Sequence, residues 1–195
     1  MKKFYMLTLV LALLSSCKSL SYDDLNPAIQ PNTNLLPVLE VKPDQKSIRA
    51  VYNKKHDDRI ADTVNIFNKE ARENIMEQTG KKKGIISMRL NYGETKRNKL
   101  YAASEGLMFI PTILGVPFDN AEQVLEIEVL VQNNNNDIIK RYVERVEDEE
   151  YAALYWGYKK EDVQRKVAAE NMKNAMAKIR QKINNDAPEI RTKLK

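Results

Sequence analysis

The sequence predicts an α+β fold: a two-layer sandwich in which a mostly antiparallel sheet of about four strands carries two long helices on one face, in the order β-α-β-(apolar connection)-β-β-α. Three observations predict it. Two segments repeat apolar residues at steps of three and four, whereas others alternate apolar and polar residues at step two. Each helical segment has a single apolar stripe and needs one surface to cover, which one face of a sheet supplies. The 195 residues suffice for one such domain plus a tail, but are few for two domains with a linker.

The chain opens on the basic Met1-Lys2-Lys3, and residues 4–14 then carry no charge and are mostly aliphatic or aromatic. This is the pattern of a secretory leader. A spanning helix needs about 20 apolar residues to cross roughly 30 Å of hydrocarbon, and this run stops well short. It ends in Leu14-Ser15-Ser16-Cys17, an aliphatic residue, two small residues and a cysteine, which resembles the lipobox of bacterial lipoproteins. The resemblance implies that residues 1–16 are a signal peptide and that Cys17 becomes the mature first residue. It further implies a thioether to diacylglycerol on that thiol and a fatty acid such as palmitate on its amine. Each buried acyl methylene contributes about 0.8 kcal/mol, so two or three chains hold a protein on a bilayer without help from an apolar patch. Lys18, rather than Asp, follows the cysteine, and by the same resemblance this points to the outer membrane. Asp23-Asp24 is similar to the surface-export signals of some bacterial groups, so the periplasmic and surface faces both stay open.

Residues 17–34 then read as a lipidated tether, because Pro27 and Pro31 with Asn26, Asn32 and Asn34 disfavour helix and ladder alike. Residues 35–187 form the single domain and residues 188–195 a tail. Residues 35–41 are apolar enough for a first strand, placed at a sheet edge by Pro37. Residues 60–79 predict a helix with Ile60, Val64, Phe67, Ala71 and Ile75 on one face, capped by Asp58 or Asp62 and ended by Gly80. Its other face, with Lys69, Glu70, Arg72, Glu73 and Glu77, is expected to be solvated.

Residues 85–92 alternate, with Ile86, Met88, Leu90 and Tyr92 sharing a face, and residues 124–132 repeat the pattern with Leu125, Ile127, Val129 and Val131 inward. Residues 133–137, four Asn and an Asp, predict a turn, and residues 138–147 the second arm of a hairpin. A last helix is predicted over residues 160–184, with Val163, Val167, Ala168, Met172, Ala175, Met176, Ile179 and Ile183 in one stripe. Glu161 and Asp162 suit its start, Lys178, Arg180 and Lys182 its end, and residues 184–188 are expected to stop it. This order of elements resembles small envelope lipoproteins, including the lipopolysaccharide-assembly lipoprotein and accessory lipoproteins of transport and secretion systems. The resemblance implies an accessory or assembly role.

Composition narrows the function. Net charge is +5, from 32 basic and 27 acidic residues, and removing Lys2 and Lys3 with the leader leaves 30 against 27, or +3. Both signs are interleaved, so no nucleic-acid footprint is expected, and Lys81-Lys82-Lys83 reads as a solvated turn. One cysteine excludes an intramolecular disulfide and a multi-thiolate zinc site. The one histidine, His56, sits in a charged loop with no second histidine to share a metal or a proton. Ser87 and Ser104 lack a nucleophile frame, Glu147-Asp148-Glu149-Glu150 lacks the spacing of a calcium loop and reads as a solvated turn, and no phosphate-cradling glycine loop occurs. The expectation is a protein with no catalytic residues, no metal and no cofactor.

Two features are left for binding. The segment 106–118 is apolar, yet Pro111, Gly115 and Pro117 deny it a regular helix or central strand. Either it plugs the open end of the sandwich, or part of it is exposed and Leu107, Met108, Phe109, Ile110 and Leu114 dock an envelope protein partner or dip into the bilayer. Tyr151, Tyr155, Trp156 and Tyr158 either close the core where a strand hands over to a helix or stack on a glycan or lipid.

Overall fold

The computed structural model describes residues 20, 21, 23–29, 34–52, 57–96, 116, 117, 119–153 and 158–194. After a short 3-10 turn at Asp23–Leu25 come β1 (Glu40–Pro43), α1 (Gln45–Tyr52), α2 (Asp57–Glu70) running into one π-helical turn (Ala71–Ile75), β2 (Gly84–Lys96), β3 (Asp119–Asn133), β4 (Ile138–Ala152) and α3 (Lys160–Lys193). The strands stand in the order β1-β2-β3-β4, β1 parallel to β2 and the other two pairings antiparallel. The predicted α+β layout therefore holds, with β1 at an edge.

One apolar cluster fills the space between sheet and helices. Ile86, Met88, Leu125, Ile127, Val129 and Val131 meet Phe67, Ile75, Met172, Met176, Ile179 and Ile183, all fully buried or nearly so. The predicted stripe of α3 is buried along its whole length. In the hairpin, Asn133 Oδ1 accepts from the N–H groups of Asn135 and Asp137, both at 2.9 Å, and Asn136 takes φ of 66°, as a turn of asparagines allows.

The structure corrects the sequence reading at several places. A third helix, α1, buries Ile48 and Tyr52, and Arg59 of α2 lies 5.1 Å over the Tyr52 ring. The first strand begins at Glu40 rather than at Leu35, and Leu36 instead forms an isolated bridge with Met76. That bridge also ends the second helix early, because Met76 must turn extended to reach it. Gly80, at φ of 139°, then serves the bend that follows and not a helix end. Asp62 is no cap: it lies inside α2 and receives Arg165 Nε at 2.5 Å and Nη2 at 2.9 Å. Glu70, assigned to the solvated face, is buried.

Tyr92 is exposed instead of joining Ile86, Met88 and Leu90, because the pairing with β3 shifts register between Leu90 and Tyr92. An extra residue in a strand turns every later side chain to the opposite face. Glu147-Asp148-Glu149-Glu150 is not a turn but part of β4, which runs on to Ala152.

α3 continues through Pro188 to Lys193 where a stop was expected. Ala187, Ile190 and Leu194 extend its buried stripe, and their burial outweighs the hydrogen bond that a proline cannot donate. Arg180 consequently sits mid-helix and buried, and Arg191 and Lys193 occupy the last turn.

Gly84 opens β2 where the backbone of β3 comes close. A Cβ there would lie 2.1 Å from the Gln132 carbonyl oxygen and 2.8 Å from Leu194 Cδ2. A backbone oxygen cannot move aside as a flexible side chain can. Gly84→Ala is therefore expected to lower stability by roughly 1–3 kcal/mol, read as an earlier midpoint in chemical denaturation.

Candidate functional site

Of the residues singled out from sequence, Cys17, His56, Leu107, Met108, Phe109, Ile110, Leu114, Tyr155 and Trp156 lie outside the described residues. Tyr151 and Tyr158 are described, and they do not share a face. Tyr151 is on the solvent side of β4, its hydroxyl donating to Glu149 at 2.6 Å. Tyr158 packs on the helix side against Ala121, Ala152, Val163 and Val167, with Lys166 Nζ 5.6 Å from its ring centre.

The polar groups that the fold does bring together lie along α3. The segment after Leu20 runs beside this helix from its start towards its end. Leu20 N–H donates to Asp162 Oδ2 at 3.5 Å. Lys166 Nζ reaches Asp24 Oδ1 at 3.3 Å and Glu170 Oε1 at 2.5 Å, and Lys173 Nζ donates to the Asp24 carbonyl at 2.6 Å and to Glu170 Oε1 at 2.9 Å. Asn74 Nδ2 then holds the Ala28 carbonyl at 3.1 Å, and Arg191 donates to the Leu35 carbonyl through Nε at 3.0 Å. Pro27 is buried and Leu25 packs on the main core. The described part of the segment expected to be a tether is thus a strap fastened to the body.

Charge sets how firmly the strap is held. The Ser21 backbone N–H, 2.9 Å away, does most to hold the Asp24 carboxyl below its usual value of 3.8, helped by the Ser21 hydroxyl and Lys166. Burial pushes Glu170 up, but hydrogen bonds from Lys166 and Lys173 outweigh it and leave the carboxyl below 4.5. Both folded values are depressed, so the contribution to stability is complete above the ordinary carboxylate range and is lost as pH falls through the folded values. The protection of amides from hydrogen exchange over residues 20–28, measured against the unfolded chain at the same pH, is expected to hold down to about pH 5 and to fall below about pH 4, with the body still protected.

Deeper in, Glu70 Oε1 accepts from Arg180 Nη1 at 2.7 Å while its other oxygen takes Asn74 Nδ2 at 2.6 Å. Side-chain exposure is 2% for Glu70 and 8% for Arg180, so this is a pair cut off from water. Burial pushes the Glu70 carboxyl above its usual value despite both donors. Because Asn74 also grips Ala28, the pair, the strap and the π-helical turn form one connected network.

The outer face of the sheet mixes charged groups with exposed Tyr92 and Val143. Glu128 is buried there between Arg89 and Arg141, which overcome its burial and hold it below the usual range. Glu147 presses against Glu122 and raises the latter's carboxyl. In β4 the four consecutive acids alternate between faces, so they cannot converge on one ion, and no metal-holding group of His, Cys, Asp or Glu occurs among the described residues.

A cleft of about 680 Å³ opens beside β1, lined by Val38, Glu40, Arg72, Glu73, Met76 and Lys82 among others. Its charges are mixed in sign, and its lining holds no Ser, Thr, Cys or His that a neighbouring base could activate.

No family model matches the chain, and no curated protein matches it. Among solved structures, a candidate lipoprotein from Caulobacter crescentus CB15 is similar over 80% of this chain and 91% of its own, at 12% identity and a TM-score of 0.39. A minor lipoprotein from Acinetobacter baumannii is similar over 80% of this chain and 95% of its own, at 7% identity and a TM-score of 0.38.

Proposed function

We propose that the chain is a lipid-anchored protein of the bacterial envelope, held in the outer membrane through Cys17, which works without catalysis as an accessory factor that binds another envelope component. The observation that carries this reading is the leader: a basic start, eleven uncharged residues and Leu14-Ser15-Ser16-Cys17. Each part answers a separate requirement of export, cleavage and acylation, and they occur together in the right order. Among the described residues no helix is long and apolar enough to cross a membrane, so the lipid is the membrane attachment this reading requires.

A binding role is supported by what the polar groups are used for. Lys166, Glu170 and Lys173 fasten the strap, Glu70 and Arg180 are consumed by each other, and Glu128 by two arginines. The apolar segment 106–118 is the proposed contact with the partner, and Phe109 its centre.

Crosslinking of the anchored protein in whole cells, followed by affinity capture, tests this. The native chain is expected to bring down one envelope component reproducibly, and Phe109→Asp to lose it while keeping the native unfolding midpoint. Loss of the fold in Phe109→Asp would place the segment in the core and remove it as the contact.

A further inference from the structure

The topology assigns distinct ends to the molecule. α3 runs antiparallel to β4: Tyr158 bridges Ala152, Asn174 meets Asp148, and Tyr142 donates to Asp186 at 2.9 Å. The start of α3 therefore lies at the end where β4 finishes and β3 begins, which is also where β2 finishes at Lys96. The β3–β4 turn around Asn135 lies at the opposite end with the last turns of α3, and Gly84 meets Leu194 there. A 34-residue helix separates the two ends by about 50 Å.

The chain enters at one of these ends. Leu20 touches Asp162 in the first turn of α3, and Asp24 is held by Lys166 and Lys173 just beyond. Leu20 is only three steps along the chain from Cys17, a reach of roughly 10 Å, and Asp24 is seven steps from it, roughly 25 Å. The far end of the body lies about 50 Å from the start of α3, so neither reach lets it turn that end towards the point of attachment.

We propose that the end of the body formed by the start of α3 and the start of β3 faces the lipid surface, and that the strap fixes this orientation by shortening the tether to a few residues. The inference rests on the acylation of Cys17 proposed above. It goes further in assigning a surface and a direction: the end with Lys159 and the exposed Val116 lies against the bilayer, and the asparagine turn projects away from it. Lys96, where β2 ends and the connection to β3 departs, belongs to the lipid-facing end.

The test uses the full chain, matured in a bacterial host, purified in detergent and returned to vesicles of phosphatidylethanolamine and phosphatidylglycerol containing a small fraction of headgroup-labelled acceptor lipid. Lys159→Cys and Asn135→Cys, both at exposed positions, carry the donor dye in separate preparations. Transfer from position 159 is expected to exceed that from position 135 by about threefold or more, given the ~50 Å between the ends. A Gly/Ser insert of about 30 residues between Ser19 and Leu20, with a mean span of roughly 30 Å and a much longer maximum, is expected to erase most of that difference while the protein still floats with the vesicles. Equal transfer from both positions in the uninserted protein, with flotation intact, overturns the orientation but leaves the anchor standing. A difference that survives the insert overturns the strap as its cause. A protein that does not float with vesicles at all overturns the anchor and the orientation together.

Discussion

Arg180→Ala is expected to lower the stability of the body by about 3–5 kcal/mol, a fall of roughly 10 °C in unfolding midpoint for a chain of this size. The reason is the position of Glu70. Its carboxylate sits at 2% exposure and relies on Arg180 and Asn74 for all the polar contact it has lost from water. Deleting the arginine leaves a charge buried without a counter-ion, which costs far more than an ion pair gains. Replacing Glu70 by Gln and Arg180 by Met together is expected to cost much less than Arg180→Ala alone, since no charge is then stranded.

The pH dependence gives a second reading of the same pair. Burial already holds the folded Glu70 value above 4.5. A raised folded value means the unfolded chain binds fewer protons between the two values, so this contribution is most favourable at low pH and is lost as pH rises through the folded value. Removing Arg180 raises the folded value further. The deficit of Arg180→Ala against the native protein is therefore expected to be larger at about pH 7 than at about pH 5, measured by urea unfolding at each pH. A deficit independent of pH would mean that water reaches Glu70 in the variant.

Cys17→Ala is expected to abolish acylation, with essentially all of the chain, processed or still carrying its leader, taking up no palmitate. In the proposed anchor this thiol is the atom that bonds to diacylglycerol, and no other cysteine occurs in the sequence to take its place. With two or three acyl chains lost, about 0.8 kcal/mol for each buried methylene disappears, which for long chains is the whole of the anchoring free energy. The measurement is incorporation of labelled palmitate together with the detergent-phase fraction after phase separation. A Cys17→Ala chain that still takes up palmitate would shift the anchor to another part of the chain.

Much of the body was legible because its elements obey simple periods. Leu125, Ile127, Val129 and Val131 recur at step two and are all buried, and the stripe of α3 recurs at three and four for nearly its whole length. The misses have local physical causes. Pro188 is a stop signal in isolation, but Ala187, Ile190 and Leu194 give the helix more apolar surface to bury beyond it. Tyr92 continues the apolar alternation of β2 in sequence, and only the register shift in space sends it outward. α1 is eight residues long, too short for a stripe to stand out from its neighbours.

The strap illustrates a different limit. Lys166, Glu170 and Lys173 are spaced three and four apart, so their pairing along one helix face could have been read. Nothing in that spacing says that Asp24, more than a hundred residues earlier, arrives to complete the cluster. Glu70 and Arg180 share this property: each looks like a solvated charge until the tertiary fold closes over both. Long-range polar pairing is specified by packing, and local pattern carries no trace of it.

Intact mass spectrometry of the protein extracted from envelope membranes tests the central claim most directly. The account predicts a mature chain that begins at Cys17 and carries a diacylglyceryl group on sulfur and an acyl group on the terminal amine. A chain that begins at any other residue, or one that begins at Cys17 with an unmodified thiol, would contradict it.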